Sequence, residues 1–388
     1  MINKELLKEL LDINNRHKLF EKILIELKRF ASSEKINYFE FQTSEGKIPI
    51  IKIAQSSDLD DVNYVKVFVG AQHNEYNGLF GVIEFLNLLE TSKNVVNNFI
   101  KWDQVLIFAP LMNPYGFIHP RQENKSGYYL KNGTNLNRYW RRTFAAGYKG
   151  SKDGLSEYPT PEHTNIIKNL LKPYWLREAI QIYILDFHET SLLERFSTDL
   201  VNNLQKESIN YKFSHWLKEG IVYNIIKLFK IPYFRKPLFF KCTPNADHTH
   251  INLTIRQLDK VYEKLQEYVI NNQGKLKFYF CYSNKSKEFC EKLAQNVHHT
   301  LSDILWETYF PAFNHNFHNH GCFVNMNEAI TRKGVYSMEL ESQKQFFNIF
   351  EEIEKSKSDV CYFDKKMKYF KMSIKLAVES IKEMVSLF

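Results

Sequence analysis

The chain has 388 residues, of which 44% are hydrophobic and 15% aromatic, and its formal net charge is +8. This apolar fraction can fill a packed core, so it excludes a largely disordered chain, and the length suits one large α/β domain. The basic residues are dispersed among 44 acidic ones rather than gathered in a stripe, and the sequence shows no nucleic-acid-binding motif. We therefore expect no nucleic-acid partner, and the charge is compatible with an anionic substrate.

The spacing of the cysteines and the lengths of the apolar runs indicate the cellular compartment to expect. No two cysteines are closely spaced, a pattern typical of free thiols in a reducing compartment; the five are Cys242, Cys281, Cys290, Cys322 and Cys361. The first 30 residues mix charges with Leu and Ile at helical spacing, which predicts an amphipathic helix rather than a signal peptide. No run approaches the roughly 20 apolar residues that span a bilayer. We expect a cytoplasmic protein without a membrane span.

Apolar periodicity predicts strands that alternate with helices. Strands are predicted over 36–54, 62–70, 103–110, 181–187 and 274–282, and helices over 78–91, 160–172, 285–298 and 360–387. Such alternation is typical of an α/β fold with a mixed, mostly parallel central sheet and helices on both faces. We treat 1–388 as a single domain, and the charged helical pattern of 190–275 predicts a helical insertion within it.

Two strand-end loops carry potential metal ligands. The predicted strand that ends at Gly70 is followed by Gln72-His73-Asn74-Glu75, and another strand ends in Asp186-Phe187-His188. Open α/β sheets usually bind their ligands at the carboxyl ends of strands. A catalytic zinc ion takes three ligands of the His, Asp or Glu type and keeps one position open. Together the two loops can supply such a set, and Asp186 lies on the strand face of His188, where it can orient that ligand.

The first loop resembles that of zinc metallocarboxypeptidases of the carboxypeptidase A type. That family carries a His-x-x-Glu pair followed by Gly, and the match to Glu75 and Gly78 places Gln72 where the family has its first His. This Gln-x-x-Glu variant is similar to that of D,L-carboxypeptidases, which trim peptidoglycan peptides. The resemblance implies one zinc ion bound by Gln72, Glu75 and His188. His73 is the alternative first ligand, and the sequence leaves that choice open.

Further motifs follow in the order that the family has. Asn113-Pro114-Tyr115-Gly116 with Arg121, and Asn135-Leu136-Asn137-Arg138, are similar to the family's NPDG, Arg and DLNR stretches. The resemblance implies that Asn137 and Arg138 bind the terminal carboxylate of the substrate, while Arg121 polarises the scissile carbonyl. A guanidinium suits both tasks, because it binds carboxylates in bidentate fashion and stabilises oxyanions. Asn135 replaces an Asp that is usually a supporting residue.

The catalytic base and a histidine-rich segment complete the set of candidates. Glu339, in the strand-like run 335–341, resembles the family's catalytic Glu, which takes a proton from water and passes it to the leaving amine. Glu341 shares its strand face and is the second choice. His315, His318 and His320 form either a metal-binding tract or a solvated loop.

The sequence therefore predicts a carboxypeptidase-like catalytic domain that acts as a zinc-dependent amide hydrolase. Its substrate would be a peptide with a free carboxylate, from which it removes the carboxy-terminal residue, and muropeptides are the class implied by the Gln72 variant. A small-molecule deacylase that resembles aspartoacylase or succinylglutamate desuccinylase, acting on N-acyl amino acids, is the first alternative. A catalytically inactive protein that binds peptides or partners is the second.

Overall fold

The structure is a computed structural model that describes residues 4–32, 35–91, 100–120, 127–145, 159–190, 238–240, 251–253, 274–306, 312–314, 322–345 and 361–387. Arg121 and the histidines at 315, 318 and 320 lie outside these ranges. Within the ranges, every helix is too short or too polar to cross a membrane.

Ten strands and nine α-helices occur in the described part of the chain. The strands are β1 (Ile36–Thr43), β2 (Gly46–Ala54), β3 (Tyr64–Val69), β4 (Gln104–Ala109), β5 (Gln181–Thr190), β6 (Leu238–Phe240), β7 (Ile251–Leu253), β8 (Phe278–Tyr282), β9 (Ala312–Asn314) and β10 (Val335–Gln343). The helices are α1 (Lys4–Leu11), α2 (Arg16–Arg29), α3 (Asn77–Thr91), α4 (Pro114–Ile118), α5 (Trp140–Phe144), α6 (Glu162–Trp175), α7 (Lys287–Thr300), α8 (Phe323–Ala329) and α9 (Tyr362–Ser386).

Eight strands form one mixed sheet in the order β1-β2-β4-β3-β5-β10-β8-β9. The four central strands, β4, β3, β5 and β10, are parallel to one another, and β8 is parallel to β9. The pairs β1 with β2, β2 with β4, and β10 with β8 are antiparallel. The predicted mixed, mostly parallel sheet is therefore confirmed. Because parallel strands end at one edge of a sheet, the carboxyl ends of β3, β4, β5 and β10 lie side by side.

Helices cover both faces of this sheet, as predicted. On one face Phe68 and Leu185 pack in a core with α2, α3, α7 and α9. On the other face Val67 and Ile184 pack with α5, α6 and α8. Adjacent strand residues thus enter opposite cores, since side chains alternate along a strand. Each fully buried side chain of this size contributes about 1.5–3 kcal/mol to folding.

The predicted elements differ from the observed ones in two places. The strand expected over 36–54 is a hairpin of β1 and β2, because Gly46 has a φ of 130° that reverses the chain between them. In the predicted insertion, β6 and β7 form a separate antiparallel pair, and nearly all other residues of 190–275 lie outside the described ranges. The helical character of that insertion stays a prediction.

Close packing fixes helix α3 against its neighbours. A Cβ at Gly78 would lie 2.5 Å from the Cβ of Phe187 on β5, and a Cβ at Gly81 would lie 2.5 Å from the Cβ of Ala377 on α9. Real Cβ atoms do not approach so closely, so only glycine allows this separation. The beginning of α3, and with it the loop that carries Glu75, is therefore held close to β5.

A buried lysine joins the sheet to the C-terminal helix. Lys66 on β3 is fully buried, and its Nζ donates a hydrogen bond of 2.8 Å to the carbonyl of Val385 in the last turn of α9. Burial, with a smaller contribution from the charge of Lys101, lowers the pKa of Lys66 to about 7. The ammonium is favoured at the end of a helix dipole, but the loss of hydration outweighs that attraction.

This shift predicts a rise of stability with pH. In the unfolded chain Lys66 keeps its proton up to its ordinary pKa of 10.5, whereas the folded chain releases it near 7. The unfolded state therefore binds more protons in this window, and the free energy of unfolding increases as the pH rises. Between pH 7 and 8.5 the wild type should gain about 1–2 kcal/mol relative to Lys66→Met, measured by urea denaturation. Parallel pH profiles for the two proteins would contradict this account.

Candidate metal centre and its surroundings

The loop after β3 begins with an unusual backbone turn. Ala71 is the one non-glycine residue with positive φ among those described, at 45°, a conformation that costs roughly 1–2 kcal/mol for an L-residue. Backbone hydrogen bonds from the loop after β4 hold it there: Met112 N donates to Gly70 O at 3.1 Å and Asn113 N to Ala71 O at 3.0 Å. The Asn113 side chain donates to Gln72 O at 3.2 Å. These bonds fix the directions of the side chains that follow.

Three ligand atoms converge where β3 and β5 end. Oε2 of Glu75 lies 3.4 Å from Nδ1 of His73 and 2.8 Å from Nδ1 of His188. All three side chains are buried, and their ligand atoms lie within 4.8 Å of one another. Two imidazole nitrogens and one carboxylate oxygen form a donor set that zinc accepts.

The environment of His73 places the ring proton on Nε2. Its Nε2 lies 3.0 Å from Oδ1 of Asn135, and that oxygen also accepts from Asn137 N at 3.0 Å. Because a backbone N–H can only donate, the Asn135 atom is the carbonyl oxygen, so His73 donates to it from Nε2. The proton is then on Nε2, and Nδ1 faces Glu75 as a possible ligand. Asn135 thus contacts His73 as a supporting residue.

His188 lies between two carboxylates. Its Nε2 is 2.9 Å from Oδ2 of Asp186, opposite the contact of Nδ1 with Glu75. Burial lowers the pKa of His188, but the charges of Asp186 and Glu75 outweigh burial and raise it well above the ordinary value. Burial likewise raises the pKa of Glu75, but His73 and His188 outweigh it and hold that pKa well below its usual range. This cluster concentrates negative charge that suits a cation.

The polar atoms around the cluster provide a test of whether a metal ion fits. Oδ1 of Asp186 is buried and accepts no hydrogen bond from any described residue. Buried carboxylate oxygens normally have a partner, so the described residues leave a demand for positive charge here. The Asp186 carboxylate lies on the Nε2 side of the His188 ring, away from Glu75. His73, Glu75 and His188 fit a zinc ion through the chemistry of their own donor atoms, two imidazole nitrogens and one carboxylate oxygen.

Gln72 lies at the same edge, beside Asp186. Its Nε2 donates to Oδ2 of Asp186 at 2.5 Å, and its Oε1 accepts from Nε1 of Trp140 at 2.7 Å. The side chain is fully buried. The structure thus brings both candidates for the first ligand, Gln72 and His73, to the site, with their polar atoms facing different partners.

The structure also brings the other predicted residues to this edge, with the exception of Arg121, which lies outside the described residues. Nδ2 of Asn137 is 3.3 Å from Oε1 of Glu339 and 3.2 Å from Nε2 of His188. Arg138 is half-buried and donates to Asn137 O at 3.0 Å. In the sheet register Glu339 lies opposite Asp186, and Glu341 lies opposite His188.

Burial is the main reason why the pKa of Glu339 is raised. Burial raises its pKa, and the charge of Asp186 adds to that effect against the opposing charge of His188. Its carboxylate has an oxygen within 4.8 Å of a ring nitrogen of His188. A buried carboxylate with a raised pKa beside a metal-type site can accept and return a proton.

Sequence motifs did not indicate an aromatic ring and a cation that lie over the site. The ring of Tyr128 stacks on that of His73, with centroids 3.9 Å apart and planes 7° apart. Nζ of Lys344 lies 5.5 Å from the Tyr128 centroid and 3.6 Å from Oε1 of Glu75, and it donates to Oδ1 of Asn74 at 3.3 Å. The one signal for Lys344 was its place directly after the strand that carries Glu339.

A third residue that the motifs did not indicate, Glu189, joins two loops to strand β5. Its Oε1 accepts from the backbone N–H groups of Tyr76 at 3.1 Å and Asn77 at 3.0 Å, where α3 begins. Its Oε2 accepts from the N–H of Gln345 at 2.9 Å, after β10. Because Glu189 itself follows His188, one buried carboxylate links the loops after β3 and β10 to β5.

The chain is similar to several solved structures at low sequence identity. No protein-family model and no curated protein matches the sequence. Solved structures are similar: a metallo-carboxypeptidase from Burkholderia cenocepacia has a TM-score of 0.47 at 12% identity, covering 94% of this chain and 68% of that chain. A metallo-carboxypeptidase from Pseudomonas aeruginosa, in complex with (2-guanidinoethylmercapto)succinic acid, has a TM-score of 0.46 at 12% identity. The match covers 93% of this chain and 67% of that chain. Bovine thrombin-activatable fibrinolysis inhibitor, in complex with tick carboxypeptidase inhibitor, has a TM-score of 0.48 at 10% identity. The match covers 96% of each chain.

The contacts of Glu189 predict a loss of stability in Glu189→Gln. A glutamine has one carbonyl oxygen, so it cannot accept all three backbone N–H groups, and at least one buried donor loses its partner. The free energy of unfolding should fall by about 1–3 kcal/mol, measured by urea denaturation at pH 8 with a chelator present. Glu178→Gln, on an exposed residue, makes the same chemical change and should stay within about 0.5 kcal/mol of wild type. Equal losses in both variants would contradict the assignment.

Proposed function

We propose that this protein is a zinc-dependent, carboxypeptidase-like hydrolase that removes the carboxy-terminal residue of a peptide. The observation that carries the proposal is the convergence of His73, Glu75 and His188 where β3 and β5 end, with Glu339 beside them. An open α/β sheet binds its ligands at this edge. The order of the sequence motifs supports the same conclusion independently.

His73, Glu75 and His188 would hold the zinc ion. Asn135 and Asp186 accept the Nε2 protons of the two histidines, so Nδ1 is the ring nitrogen through which each would bind a metal, and on His188 the metal would replace the Nδ1 proton that faces Glu75. Zinc bound there would supply Lewis-acid activation of water and of the scissile carbonyl near neutral pH. His73 is proposed as the first ligand in preference to Gln72, whose amide is hydrogen-bonded to Trp140 and Asp186. Metal analysis of His73→Ala and Gln72→Ala tests this assignment.

The remaining residues transfer the proton, bind the substrate carboxylate and polarise the scissile carbonyl. Glu339 takes a proton from water and returns it to the leaving amine. Asn137, which the sequence resemblance assigns to the substrate carboxylate, donates to Oε1 of Glu339 at 3.3 Å and so also holds the base. The guanidinium of Arg138 binds the terminal carboxylate of the peptide in bidentate fashion, through two N–H···O hydrogen bonds. Arg121 is assigned to the scissile carbonyl on the sequence resemblance alone. Muropeptides are the proposed substrate class, and the support for them is the resemblance of the Gln72-x-x-Glu75 loop.

Metal content and turnover test the site together. We expect wild type to contain about one zinc per chain by elemental analysis, and His73→Ala to lose most of it. Glu339→Gln should keep the zinc while kcat falls by about 10²- to 10⁴-fold, because the base is lost but the ligands remain. His299→Ala, on an exposed histidine of α7, is the control and should match wild type in both measurements. Wild type without zinc and without turnover would instead favour a binding protein.

A substrate panel tests carboxylate recognition. Peptides with a free carboxy terminus, the same peptides as amides, muropeptides and N-acyl amino acids are assayed with wild type and Arg138→Gln. We expect hydrolysis of the free peptides, and a loss of about 100-fold in kcat/KM for them in Arg138→Gln, since a charge-assisted bidentate contact is removed. Turnover of N-acyl amino acids with none of peptides would contradict the peptidase proposal and favour the deacylase.

A further inference from the structure

We propose that Gln72 is a positioning residue that fixes the zinc ligand His188 through Asp186. The observation is a buried chain of hydrogen bonds that runs from the indole of Trp140 through the Gln72 amide and the Asp186 carboxylate to the His188 imidazole. This inference rests on the proposed function, because it places Gln72 beside the zinc ion rather than on it. It assigns a role to the residue at which the sequence departs from the resembling family.

The chemistry of Trp140 determines which way the Gln72 amide points. An indole N–H can only donate a hydrogen bond, so the Gln72 atom at 2.7 Å from it is the carbonyl oxygen. The amide nitrogen is then the atom 2.5 Å from Oδ2 of Asp186, and a carboxylate oxygen is a suitable acceptor for it. The assignment of amide oxygen and nitrogen, often ambiguous, is thus set here by both partners.

Asp186 transmits this orientation to the imidazole. Its Oδ2 accepts from Gln72 and also lies 2.9 Å from Nε2 of His188. With Nε2 donating to that oxygen, Nδ1 of His188 faces Glu75 at 2.8 Å. Histidine ligands depend on such outer partners for their tautomer and ring angle, and loss of the partner typically weakens metal binding by about 10- to 100-fold.

The neutral charge of the amide matters for this role. Gln72, Asp186 and Trp140 are all fully buried, and Glu75 already places a second carboxylate near His188. A carboxylate at position 72 would face Asp186 at hydrogen-bond distance, where two like charges repel strongly in a buried setting. Only a neutral side chain with one acceptor and one donor can accept from the indole and donate to Asp186.

Gln72→Glu separates the two possible roles of this residue by the sign of its effect. If Gln72 were a zinc ligand, a carboxylate in its place would bind zinc at least as tightly, since carboxylates are regular zinc ligands. If Gln72 positions Asp186, the same change breaks the hydrogen bond and introduces repulsion, so zinc binds more weakly.

The experiment measures the zinc dissociation constant by chelator competition, and the absorption spectrum of the Co²⁺-substituted protein, for wild type, Gln72→Ala, Gln72→Glu and Trp140→Phe. We expect all three variants to bind zinc about 10- to 100-fold more weakly, with about one ion per chain at saturation. The Co²⁺ band positions should match wild type, because the ligand set is unchanged. Trp306→Phe, which removes an indole hydrogen bond to Lys275 O at 3.0 Å in another part of the fold, should leave the dissociation constant unchanged.

Three outcomes would overturn the inference. Retained or tighter zinc binding in Gln72→Glu, with shifted Co²⁺ bands in Gln72→Ala, would make Gln72 a ligand. Equal weakening in Trp140→Phe and Trp306→Phe would show a general loss of packing. Absence of zinc from wild type would overturn both this inference and the proposed function, whereas zinc binding without hydrolysis would overturn only the proposed function.

Discussion

Two buried carboxylates contact opposite ring nitrogens of His188, Asp186 at Nε2 and Glu75 at Nδ1, and the arrangement of the loops around them depends on this cluster. A charge removed from water costs several kcal/mol unless it is paired and hydrogen-bonded. The compensation comes from neighbours on three chain segments: Gln72 after β3, the ammonium of Lys344 after β10, and the amide of Asn137 beside the imidazole. The cluster is therefore stable only when these segments are all in place.

The sheet supplies the alignment that makes such a cluster possible. Because β3, β5 and β10 are parallel and adjacent, their carboxyl ends present side chains at one edge. Glu189 then joins the loops by its three backbone contacts, and Gly78 lets α3 approach Phe187 on β5. Packing in the core and geometry at the edge are thus coupled, so a change that displaces α3 also displaces Glu75.

The sequence predicted what depends on local pattern. Alternating apolar runs predicted the mixed sheet with helices on both faces. The motifs at strand ends predicted that Glu75, His188 and Glu339 lie at one edge of it. The sequence could not choose between Gln72 and His73, because their directions depend on the left-handed turn at Ala71, which no local pattern indicates. The contacts of Trp140 with Gln72 and of Tyr128 with His73 were missed for the same reason, because tertiary packing brings these distant segments together. The hairpin turn before β2 was missed although its glycine was visible.

The position of zinc can be measured in a crystal of the metal-loaded protein, by anomalous scattering at the zinc absorption edge. We expect one strong peak within bonding distance, about 2.0–2.2 Å, of Nδ1 of His73, a carboxylate oxygen of Glu75 and Nδ1 of His188. Gln72 should remain hydrogen-bonded to Trp140 and Asp186. A peak bonded to the Gln72 oxygen with His73 turned away, or no peak at this edge of the sheet, would contradict this ligand assignment.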